Sequence, residues 1–138
     1  MSGISSKGMY GLAAMYQLMQ SDKDVAIQIK EIADKANIPK NYLEQILVIL
    51  KREGLVKSIR GANGGYMLEK NPDQILIYDI IDALEGGLCN QASAANSNEI
   101  LDLFWKEKQE KVREVFNVPL TDLKKFEQQY NKQMMYVI

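Results

Sequence analysis

The sequence predicts a mainly α-helical fold with one small β-hairpin, and three observations predict it. Leu43, Ile46, Leu47 and Leu50 repeat at i, i+3, i+4 and i+7 behind a short helical segment that stops at Asn37, so two helices meet at a tight turn. Leu55 to Lys70, LVKSIRGANGGYMLEK, sets two β-prone runs on either side of a glycine-rich tip. Beyond residue 98, apolar residues recur at helical spacing over a long segment. Together they describe a helix-turn-helix followed by a wing and extended by a long helix suited to dimerisation.

Each element has its own justification. Met9, Leu12, Ala13, Tyr16 and Met19 place a helix over Ser6 to Gln20, with Ser5 or Ser6 as its cap. SDKD breaks it, and a short extended VAIQI leads to a second helix over Lys30 to Ala36 with Ile32, Ala33 and Ala36 on one face. Pro39 cannot continue that helix but suits the first turn of the third, which runs to Gly54. In the wing, Val56, Ile59, Tyr66 and Leu68 are strand formers, and Gly61, Gly64 and Gly65 are expected to supply the positive φ of the tip. A short helix over Ile75 to Leu84 ends at Gly86 and Gly87, and LCNQASAANSN follows as a polar loop. Asn96 with Glu99 resembles a capping box for the long helix. Its apolar positions are Ile100, Leu101, Phe104, Trp105, Val112, Val115 and Phe116, a stripe that needs a partner and fits a second copy across a two-fold axis. A last helix starts near Thr121 with Leu120, Leu123 and Phe126, and the apolar tail MMYVI is expected in the interface or the core. The expected division is a winged helix-turn-helix over 1–87, a loop over 88–97 and a helical dimerisation region over 98–138.

Composition narrows the function classes. The chain has 138 residues, 46% of them hydrophobic and 25% charged, as in an ordinary globular protein. It lacks both a run of about 18 apolar residues and an apolar N-terminal signal, so the expectation is a soluble cytoplasmic protein without a membrane partner. The net charge of −1 hides an asymmetry. Residues 1–70 hold ten Lys and Arg against seven Asp and Glu, a net of +3, whereas residues 71–138 hold seven against eleven, a net of −4. The first half can therefore face phosphate. Enzyme chemistry finds no footing: without histidine there is no Ser-His-Asp or Cys-His arrangement, and GANGG lacks the Lys and Ser or Thr of a phosphate loop. Asp79 and Asp82 share a helix face and are most simply solvated.

Burying the Leu43–Leu50 face leaves Lys40, Asn41, Glu44, Gln45, Val48 and Arg52 outward on the third helix. Asn and Gln pair bidentately with adenine, Glu accepts from cytosine N4, and Lys and Arg hold phosphates. Tyr42 contacts backbone or packs inward. Arg60, at the shoulder of the wing, is placed to enter a minor groove, and Lys7, Lys57 and Lys70 are expected phosphate contacts.

SSKGMYGLAAM, IPKNYLEQILVILKREGLVKSIRGANGGYMLEK and DIIDALEG, spread over the first 87 positions, resemble the Rrf2 family of bacterial winged-helix transcription regulators. The resemblance implies a homodimer whose paired recognition helices bind an imperfect palindrome in double-stranded DNA, joined through the long helix. It places Tyr42, Glu44 and Gln45 in the family's recognition-helix motif and Arg60 in its wing motif. Iron-sulfur members of the family carry three closely spaced cysteines before the dimer helix, whereas this chain has only Cys89 there and no histidine, so no cofactor is expected. What remains resembles the cluster-less branch that represses cysteine-metabolism genes, which implies O-acetylserine thiol-lyase as a corepressor partner. Cys89 is a candidate redox residue, although no cation stands within several positions to activate it and an inert thiol is the favoured reading. The expected function is thus a dimeric repressor of sulfur and cysteine genes. The alternatives are a single-cysteine redox sensor of the same family and a winged-helix interaction module that does not read DNA.

Overall fold

The computed structural model describes residues 3–22, 24–88 and 98–137. Helix α1 (Ser6–Gln20) is followed by α2 (Ile29–Ala36), α3 (Lys40–Arg52) and an antiparallel hairpin of β1 (Val56–Ile59) and β2 (Gly65–Leu68). A 3-10 turn at Pro72–Gln74 leads into α4 (Ile77–Glu85), and α5 (Glu99–Phe116) and α6 (Leu123–Val137) complete the order. The mainly helical fold with one hairpin wing is the one predicted.

The core lies between α1, α3 and α4. Leu43, Ile46, Leu47 and Leu50 are fully buried against Met15, Leu18, Ile80 and Leu84. Each such burial contributes about 1.5–3 kcal/mol, so the four together match the whole net stability of a typical domain. That fixes which face of α3 looks inward. Between α2 and α3 the chain turns at Asn37, whose φ of 56° is left-handed, and the Ile38 N–H reaches back to the Ala33 carbonyl at 3.0 Å. Pro39 stands at the N-cap of α3, one residue ahead of its first turn.

Several local expectations are corrected by contacts distant in sequence. Ser5 is the N-cap of α1, but neither serine caps it through a side chain; the Ser5 N–H and Oγ both donate to Glu85 Oε1 at the end of α4, at 2.7 and 2.8 Å. Of the tip glycines, Gly61 and Gly65 have positive φ and Gly64 does not. Gly64 is required for space, because a Cβ there would meet the Ile59 and Gly61 carbonyls. Helix α4 begins at Ile77 and not at Ile75, because the backbone before it is already paired: Leu120 N–H donates to the Ile75 carbonyl at 2.7 Å and Ile77 N–H to Val118 at 2.8 Å. The cap of α5 is Asn98, whose side chain accepts from the Ile100 N–H at 2.9 Å; Asn96 lies outside the described residues. Of the tail, Met134, Met135 and Tyr136 are exposed and lie outside the core of this chain.

Candidate nucleic-acid interface

With its apolar face fixed, α3 presents Lys40, Asn41, Glu44, Gln45, Val48 and Arg52 to solvent. Asn41, Glu44, Gln45 and Val48 follow i, i+3, i+4 and i+7, the spacing with which a helix lying in a major groove reaches successive base pairs. No hydrogen bond or ion pair among the described residues holds Lys40, Asn41, Glu44 or Gln45. Arg52 has only a loose exposed contact, its Nε lying 3.7 Å from Glu53 Oε1. Such a pair is worth well under about 1 kcal/mol in water, so the guanidinium remains available.

Tyr42 is half-buried and packs edge to face against Tyr10 of α1, ring centroids 5.5 Å apart. The contact seats the first turn of α3 on α1. Lys7 stands one turn before Tyr10 on α1.

At the other end of α3, Lys51 Nζ donates to Ser58 Oγ of β1 at 2.9 Å. This tie between α3 and the wing escaped sequence reasoning; its only trace was a polar residue on the strand face that also carries the buried Val56. The wing is held from its outer side as well. Ile27, in the linker between α1 and α2, exchanges both backbone hydrogen bonds with Tyr66 at 2.8 Å, so β2 is paired on both edges. Arg60 sits exposed at the end of β1 with no ion pair among the described residues. Lys57 and Lys70 are placed differently. They line an open depression with Asp22, Asp24 and Glu69 at the C-terminal end of α1. Lys40, Asn41, Glu44, Gln45 and Arg52 thus share the exposed face of α3, Arg60 is exposed at the wing, and Lys57 and Lys70 line the depression.

A second surface is apolar. None of the residues of α5 is buried; Ile100, Leu101, Phe104, Trp105 and Val115 are exposed, and Val112 and Phe116 are half-buried. Leu103 is exposed too, so at about 100° per residue the apolar arc near the start of α5 spans about 200°, wider than the stripe predicted. Phe104 and Trp105 pack edge to face at 5.1 Å. Phe116, at the other end of the helix, joins Met9, Leu12, Tyr16, Phe126 and Tyr130 in lining an apolar groove of about 600 Å³ between α1 and α6. Cys89 lies outside the described residues.

The family model described as Rrf2, iron-dependent transcriptional regulator, matches residues 4–125. The residues of this chain do not fit an iron centre of the thiolate kind: the sequence offers one cysteine and no histidine where a cluster needs about four such ligands. Among the described residues no group of three His, Cys, Asp or Glu side chains is arranged to hold a metal ion. Nor is any helix among them long and apolar enough to cross a membrane. The chain is similar to the HTH-type transcriptional regulator CymR of Bacillus subtilis (strain 168), with 36% identity over 136 residues covering 98% of this chain and 99% of the relative. It is similar in structure to CymR (YrzC), described as the global cysteine regulator of B. subtilis, with a TM-score of 0.76, 38% identity and coverage of 91% of this chain and 98% of the other. The T. potens IscR structure matches with a TM-score of 0.72 at 34% identity, covering 88% and 85%. The chain therefore belongs to the Rrf2 family of winged-helix, DNA-binding transcription regulators and is not an enzyme.

Proposed function

We propose that this regulator is a homodimeric repressor of cysteine and sulfur-metabolism genes that occupies a palindromic operator. The observation that carries the base-reading part is the outward stripe of α3, where Asn41, Glu44 and Gln45 stand exposed and unengaged beside Arg60 on a wing braced from both edges. In this reading residues 1–87 bind DNA, Lys7, Lys40 and Arg52 hold phosphates, and residues 98–138 associate. Tyr42 positions α3 by packing on Tyr10 and, being only half-buried, leaves an edge for a contact to the DNA backbone. Lys57 is a peripheral phosphate contact.

The second copy is the occupant that fits the apolar surfaces, because Phe116 belongs both to the stripe of α5 and to the groove between α1 and α6, so one partner helix can cover both. The cysteine connection rests on similarity to CymR across nearly the whole chain. O-Acetylserine thiol-lyase is the corepressor this reading names. The test is capture of sheared source DNA by the purified protein at about 0.15 M salt, with and without the thiol-lyase, followed by sequencing. Enrichment of a palindrome beside sulfur-assimilation genes supports the reading. A sharp palindrome beside unrelated genes would overturn the cysteine assignment and leave the operator intact.

A further inference from the structure

Val48 is out of place on a solvated helix face. It is 63% exposed, and its neighbours one turn away on the surface of α3 are Glu44, Gln45, Lys51 and Arg52, all exposed and polar. A β-branched residue is a weaker helix former than any of these four, so the position gains nothing from propensity and nothing from burial. Ringed by charge and amide, it is also too isolated to belong to an apolar patch of the size a protein partner needs.

In a DNA major groove the same position has a use. Thymine is the one base that presents a methyl group there, and apolar side chains discriminate it by contact. We propose that Val48 reads the 5-methyl group of a thymine in each half-site, an inference that rests on α3 being the recognition helix. Val48 completes the i, i+3, i+4, i+7 series begun by Asn41, Glu44 and Gln45. It lies about 4.5 Å further along the helix axis than Gln45, against a rise of about 3.4 Å per base pair. The thymine it reads is therefore one or two base pairs from the base addressed by Gln45.

The experiment uses the full chain and an operator selected from randomised duplex DNA. Each thymine is replaced in turn by deoxyuridine, which removes the methyl group and keeps the pairing, and affinity is measured for the wild type and Val48→Ala. Wild-type protein is expected to lose about fourfold in affinity at one symmetry-related position per half-site, the worth of one buried methyl-sized group. Val48→Ala, which removes the contact from both half-sites at once, should bind the parent operator about 16-fold more weakly, and it should be indifferent to deoxyuridine at that position alone. Alanine is the better helix former at an exposed site, so the variant keeps its fold. A sharp operator bound by the wild type with no dependence on any thymine methyl, or a Val48→Ala variant that retains the full penalty, overturns the proposal. A selection that enriches no sequence overturns the reading of α3 as recognition helix, and the proposal with it.

Discussion

Gly65 exists for close approach as much as for a turn. Its φ of 148° lies outside the range open to other residues without strain, and a Cβ there would run into the Ile27 carbonyl, the group that closes the paired hydrogen bonds with Tyr66. Gly65→Ala should therefore cost about 2–3 kcal/mol and lower the urea midpoint. Gly54 also has positive φ but open space around it, so Gly54→Ala should cost only about 1–2 kcal/mol. Equal losses would mean that backbone conformation alone decides both. Among the side chains proposed to face DNA, the contrast is between reading and holding. Gln45→Ala should lose discrimination at particular bases by about 1–3 kcal/mol, whereas Lys40→Ala should weaken operator and random DNA alike. Equal losses on specific and random DNA for Gln45→Ala would remove Gln45 from the base-reading set. The outward face of α3 was legible in the sequence because leucine and isoleucine spacing assigns the inner face and leaves the outer one by subtraction. The need for space at Gly64 and Gly65 was not, because it depends on carbonyls brought in by other segments.

At the scale of elements, the closest packing is between α1 and α4. Gly8 and Gly11 let the helices approach until a Cβ at Gly8 would meet Glu85 and one at Gly11 would fall on the Leu84 side chain. Gly11→Ala is expected to destabilise by about 1–3 kcal/mol despite alanine's better helix propensity, because Leu84 is buried and has little room to yield. A thermal melt with an unchanged or raised midpoint would show that the two helices can separate freely. The same contact explains one failure of sequence reasoning. Ser5 stands at the N-cap of α1 as expected, yet its Oγ serves Glu85, eighty positions away, and not the helix. The start of α4 was misread for a similar reason, since the pairing of residues 75–77 with 118–120 has no local signature. Periodicity located α1, α3 and the wing to within a residue or two because their apolar faces are continuous in sequence. Where a backbone segment is claimed by a distant partner, the local pattern carries no trace of it.

The whole molecule poses a question of uncovered surface. Helix α5 is 18 residues long, about 27 Å, with no buried residue, and its apolar arc is too wide for the flank of α4 to cover. Two copies related by a two-fold axis would cover it and set two recognition helices at a fixed spacing, the geometry a palindrome requires. Trp105→Glu places a charge on one flank of that arc, beside Phe104, and should yield a monomer that still folds, since Trp105 lies outside the core cluster around α1, α3 and α4. Sedimentation equilibrium reads the mass and far-UV circular dichroism the fold. DNA binding then separates the dimer from a mere pair of independent binders. A dimer neutralises the phosphates of two half-sites at once, so the slope of log affinity against log salt should fall by about half in the monomer, and operator affinity should approach that for a single half-site. A Trp105→Glu protein that remains dimeric would move the interface off α5. A monomer that keeps the full salt slope would mean that one winged domain spans the whole site, and that the symmetry of the operator has another origin.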